Sequence, residues 1–125
     1  MSSHEVAVQT DSTRKILPVP SKPSGGSGVN GGEFLMLSLA TCYCNDLYRE
    51  AEHRGIVLDA VQVQASAIFP GVGVAATDIR YHAKICSSAP TAVIAELLRQ
   101  TDAVAEVHNT IRAGIPVVRV DAGET

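Results

Sequence analysis

The segment from Asn30 to Gly55, NGGEFLMLSLATCYCNDLYREAEHRG, constrains the fold of this 125-residue chain more than any other. It reads as one helix. From Phe34 through Leu35, Met36, Leu37, Leu39 and Ala40 it leaves no solvent face, the pattern of a helix enclosed by protein on every side. Only its second half is amphipathic. Asn30 is placed to cap the helix, with Glu33 three residues on reaching back in a capping box. Gly55 is placed to end it in the left-handed conformation. A chain with one small sheet can hardly wall in the apolar half alone, so a partner subunit is the expected source of cover, and a homodimer the expected assembly.

The remaining elements follow from period and punctuation. HEVAVQT (4–10) and RKILPVP (14–20) read as two short strands, the second ended by its prolines. Residues 21–32, SKPSGGSGVNGG, form a loop by composition. From Val57 onward Val61, Val63, Ala65, Ala67 and Phe69 alternate with Gln62, Gln64 and Ser66, so one face is buried. After a PGVG turn at 70–73, Ile79, Tyr81, Ala83 and Ile85 face inward while Asp78, Arg80, His82 and Lys84 face outward, which makes the pair an antiparallel hairpin. A second helix starts at Ser87 or Ser88, carries Pro90 in its first turn and runs to Gly114, with room for a break near Asp102. Its stripe is Leu97, Thr101, Val104, His108 and Ile111. IPVVRVD (115–121) reads as a last strand. The fold class is therefore α+β, order β-β-α-β-β-α-β, in a single domain over 1–125.

Charge narrows the functions. A net charge of −3, with ten Lys and Arg spread along the chain, provides no basic patch for nucleic acid or anionic lipid. The longest apolar run, Phe34 to Cys44, is too short to span a bilayer, and the N-terminus lacks a targeting pattern, so the expectation is a cytoplasmic protein without membrane attachment. Three cysteines, none at metal-ligand spacing, fit reduced thiols better than a disulfide framework; no metal site and no cofactor are expected. Cys42 and Cys44 stand about 200° apart around an ideal helix. They cannot bond to each other within it and face different surroundings.

GGEFLMLSLATC, REAEHRGI, the hairpin and VHNTIRAGIPV, in this order and spacing, resemble the OsmC/Ohr family of osmotically inducible and organic hydroperoxide resistance proteins, nearer its less characterised OsmC-like branch. The likeness runs from about Gly25 to Val120. It implies an intertwined homodimer whose paired central helices are enclosed by sheets from both chains. It also implies that Cys42 is the peroxidatic thiol, which attacks the O–O bond of an organic hydroperoxide and becomes a sulfenic acid. The family's resolving cysteine falls at Ala105, so its intramolecular disulfide cannot form here. The acidic residue of the peroxidase branch falls at Gly32. Glu33, one residue later, matches the OsmC-like branch, but lies about 13 Å along the axis and half a rotation from Cys42. The activating arginine belongs to the N-terminal strands, where Arg14 is the only arginine.

Two functions share this fold. The first is thiol-dependent reduction of organic hydroperoxides in oxidative-stress defence, with Cys42, Arg14 and Glu33 as catalytic residues, His108 as a neighbour of the site and an external thiol as reductant. The second is a non-catalytic dimer that binds a small apolar ligand or senses redox state. Each residue also has a plainer reading: Cys42, Cys44 and Cys86 as small buried hydrophobes, His108 as a hydrogen-bonded, partly buried imidazole, and Glu33 as a cap.

Overall fold

The computed structural model describes residues 3–123. They form β1 (Val6–Thr10), β2 (Thr13–Leu17), α1 (Gly31–His53), β3 (Ala60–Ile68), β4 (Thr77–Cys86), α2 (Thr91–Val104) and α3 (Glu106–Ala113). The class is α+β, with two two-stranded antiparallel sheets among the described residues. The chain divides into two compact units, one up to Leu35 and one from Met36.

In the first unit β1 and β2 pair from Val6↔Leu17 to Thr10↔Thr13, and Asp11 turns the chain at a positive φ of 53°. The Gly/Ser/Pro-rich loop closes on itself through Gly28 N–H to the Pro20 carbonyl (2.6 Å) and Lys22 N–H to the Gly26 carbonyl (3.0 Å). The expected capping box forms. Asn30 Oδ1 accepts from Glu33 N–H at 2.8 Å, and Glu33 Oε1 accepts from Asn30 N–H at 2.9 Å, so two donors at the start of α1 are satisfied reciprocally.

In the second unit α1 ends as its sequence predicts. Gly55 takes φ 67°; its N–H reaches the Glu52 carbonyl (3.1 Å) while Ile56 N–H reaches the Ala51 carbonyl (2.9 Å), the paired bonds of a Schellman cap. The β3–β4 hairpin pairs Val61↔Ile85, Val63↔Ala83 and Ala65↔Tyr81, with a register shift between Ser66 and Ile68. Its inward face packs on a core of Tyr43, Leu47 and Ala51 from α1, Leu97 from α2, and Ala105.

At the C-terminal end the break expected near Asp102 falls at Ala105, whose φ −72° and ψ 110° are extended and divide the second helix into two. That one extended residue resets the helical phase. Ala105 is fully buried, Val104 turns outward, and His108 still faces the core from α3. The last strand is absent: residues 115–121 form no ladder among the described residues, and Val117 is 98% exposed. A strand exists only through pairing, and its alternating apolar residues alone do not create one.

Candidate functional site

Cys42 sits half-buried in the middle of α1, on the turn that leads into Tyr43 and Leu47 of the core. Its thiol donates to Asp46 Oδ2 at 3.7 Å, one helical turn on. Asp46 is 6% exposed, and its other oxygen, Oδ1, accepts from Arg49 Nη1 at 3.0 Å. The opposing contacts come from α3. The backbone N–H groups of Val107 and Glu106, in that helix's first turn, bear on the sulfur and favour its anion. Burial is the larger influence, and the Asp46 carboxylate adds to it, so the thiol pKa is raised above its ordinary value. At neutral pH the resting sulfur is protonated.

Beside this contact lies a cluster of rings. Tyr43 and Tyr81 meet edge to face with centroids 4.7 Å apart, and His108 lies 4.4 Å from Tyr81 and 5.8 Å from Tyr43. His108 is 3% exposed and neither ring nitrogen has a hydrogen-bond partner; burial, then the charge of Arg112, pushes its pKa down and keeps it neutral. Tyr81 donates to Asp102, whose carboxylate also takes Arg112 Nη2 at 2.8 Å. Tyr43 donates to the Leu98 carbonyl at 2.7 Å, and burial pushes its phenol up to about 12. A cleft of about 470 Å³ is lined by Tyr43, Tyr81, Leu98, Arg99 and Asp102, among others.

The expected site residues are therefore distributed. Cys42 meets the first turn of α3 through the backbone amides of Glu106 and Val107. His108 is more deeply buried than either sequence reading gave it, and it has ring contacts in place of a hydrogen bond. Glu33 is engaged in the cap of α1 and Arg14 stands exposed on β2, both in the first unit. Ala105, which the resemblance sets at the place of the resolving cysteine, immediately precedes the two amides that bear on Cys42. Cys44 is half-buried and Cys86 exposed at the end of β4; all three thiols are free. Asp46 was missed. The Cys42-x3-Asp46 spacing was its signal, because i and i+4 share a helix face.

Residues 24–119 match the family described as OsmC-like protein, and the chain belongs to that family, which is linked in general to peroxide and stress defence. Among solved structures it is similar to an OsmC-like protein from Mycoplasma pneumoniae, at 18% identity and a TM-score of 0.64, over 86% of this chain and 79% of the other. It is also similar to an OsmC-like protein of unknown function from Vibrio cholerae, at 14% identity and a TM-score of 0.55, over the same shares. At these identities the likeness is one of fold. No curated protein matches the chain. No helix among the described residues is long and apolar enough to cross a membrane.

Proposed function

We propose that the chain reduces organic hydroperoxides through Cys42, as a homodimer, with an external thiol as reductant. The observation that carries this reading is the half-buried Cys42 sulfur, which donates to the Asp46 carboxylate at 3.7 Å and feels the backbone N–H groups of Val107 and Glu106 at the start of α3. The sulfur attacks the terminal oxygen of the hydroperoxide; the S–O bond forms, the O–O bond breaks and an alcohol leaves. Because Ala105 carries no sulfur, the sulfenic acid condenses with an external thiol, releasing water. A second thiol then frees Cys42 as the disulfide of the reductant departs. The apolar cluster of Tyr43, Leu47 and Ala105, against which Cys42 packs, favours alkyl or lipid-like peroxides over hydrogen peroxide. Dimerisation is supported by Leu37, 56% exposed within the apolar half of α1, and by the open Ile115, Val117 and Val118. Such a protein, with reduced thiols, belongs in the cytoplasm.

Turnover of cumene hydroperoxide with a dithiol in excess, followed by peroxide loss, tests the reading. Wild type should consume peroxide catalytically and Cys42→Ala should not; equal consumption by the two would refute it. The second reading, a dimer that binds an apolar ligand or senses redox state without turnover, is favoured by the raised thiol pKa and by Ala105. It predicts at most one equivalent of peroxide consumed per chain.

A further inference from the structure

Asp46 is a buried carboxylate whose two oxygens have different partners. Oδ1 is held by Arg49 Nη1 at 3.0 Å, and Oδ2 faces the Cys42 sulfur at 3.7 Å. Burying a carboxylate opposes folding unless its lone pairs are matched, and the thiol is a weak match. An apolar residue at this turn of α1 would extend the core of Tyr43 and Leu47 without that cost. The arrangement makes better sense in a reacting site than in a resting core.

We infer that Asp46 is the proton acceptor for the Cys42 thiol whenever that sulfur acts as a nucleophile, with Arg49 as the residue that positions it; toward hydroperoxides this rests on the proposed function. As the sulfur lone pair forms the S–O bond and the O–O bond breaks, the S–H proton passes to Asp46 Oδ2. Asp46 then hands it to the departing alkoxide, which leaves as the alcohol. Sulfur is oxidised by two electrons, the peroxide is reduced by two, and Asp46 is returned to its starting form. The amides of Val107 and Glu106 stabilise the negative charge that passes through sulfur. Of the other charged or titratable groups near this pair, Arg49 on α1 stays cationic and His108 on α3 is held neutral by burial. Arg112 and Asp102 are paired with each other. A thiol that rests protonated can react near neutrality in this way, because its base is already in contact.

Asp46→Asn, made in the full chain, separates this role from a structural one. Removing the carboxylate takes away a charge that disfavours the thiolate, so the Cys42 titration, followed by thiolate absorbance, should move to lower pH. Were thiolate content all that mattered, the variant would react faster. The inference requires the opposite: Cys42 reactivity near pH 7 should fall about a hundredfold, toward both cumene hydroperoxide and the neutral alkylating agent iodoacetamide, and Asp46→Glu should recover most of it. Wild-type alkylation should be nearly flat from about pH 6 to about pH 8, whereas Asp46→Asn should rise about tenfold per pH unit because only preformed thiolate then reacts. Wild type also provides a measurement that needs no variant: its alkylation should be slower in D2O, since the proton moves with the attack. An Asp46→Asn protein as reactive as wild type, or a wild-type rate unchanged or faster in D2O, would overturn the inference. Slower alkylation in Asp46→Asn, with neither protein reacting with peroxide, would uphold the role of Asp46 and reject the hydroperoxide reading instead.

Discussion

At the scale of single residues, the three thiols differ by what surrounds them. Cys42 meets a carboxylate and two amides, whereas Cys86 ends a strand in solvent, opposite Ala60. Cys86→Ser should leave stability within about 0.5 kcal/mol and Cys42 reactivity unchanged. Cys44→Ser should cost no more than the burial of one hydroxyl, about 1–3 kcal/mol, with reactivity likewise intact. Thiol labelling paired with urea unfolding reads both, and loss of peroxide reactivity in a folded Cys44→Ser protein would move the site to the wrong side of α1. His108 carries the pH dependence. Its imidazole is disfavoured as a cation in the folded chain, so its pKa lies below the ordinary 6.5 and protonation favours unfolding. Its contribution is complete above about pH 6.5 and declines as the pH falls toward the folded value. Thermal melts from about pH 7 to about pH 5 should therefore show a falling Tm in wild type and a flatter profile in His108→Phe, which should be no less stable at neutrality because two unpartnered buried nitrogens are removed. Equal slopes in the two proteins would mean that His108 is not the titrating group. Asp102, held low first of all by its bond to Arg112, acts in a separate window: its contribution is present above the ordinary carboxylate pKa and is lost only as the pH falls below it.

At the scale of elements, the caps of α1 carry measurable free energy. Asn30→Ala removes an acceptor from the Glu33 N–H and should cost about 1 kcal/mol; Gly55→Ala forces a Cβ into a φ of 67° and should cost a similar amount, about 1 kcal/mol. Leu47→Ala, emptying a fully buried position among Tyr43, Leu97 and Ala105, should cost about 2–5 kcal/mol. Denaturant midpoints rank the three, and a cap variant as damaging as Leu47→Ala would contradict the packing described. These features were legible because local chemistry sets them: Asn30 and Glu33 are three residues apart, Gly55 follows the last helical turn, and Val61 to Ala67 alternate with polar residues. What escaped the sequence depends on contacts between distant segments. The stripe through Val104 carried one helical phase across the break expected near Asp102, and one extended residue, Ala105, brought a different side chain into the core. The valines of 115–121 have strand composition, but pairing needs an edge that composition does not specify. For the site, the resemblance pointed to Cys42 and to the empty resolving position, while the amides of Glu106 and Val107 became visible only once α3 was seen to begin beside the sulfur.

At the scale of the whole molecule, the apolar half of α1 and the exposed Ile115, Val117 and Val118 support the proposed dimer. Light scattering at low micromolar concentration should give twice the chain mass, and Leu37→Glu, a charge on an exposed apolar position, should shift the protein toward monomer. A stable, well-folded wild-type monomer would remove the shared enclosure of α1. The central claim, however, is chemical: Cys42 is a working nucleophile toward organic peroxides even though burial favours its protonated form. Its most direct test is intact-mass analysis of the reduced protein after one equivalent of cumene hydroperoxide, with a sulfenic-acid probe present and Cys42→Ala in parallel. The account predicts a single probe adduct on Cys42, absent from the variant, because no cysteine at position 105 can resolve the sulfenic acid. An unmodified Cys42 under those conditions, or a label that persists in Cys42→Ala, would contradict it.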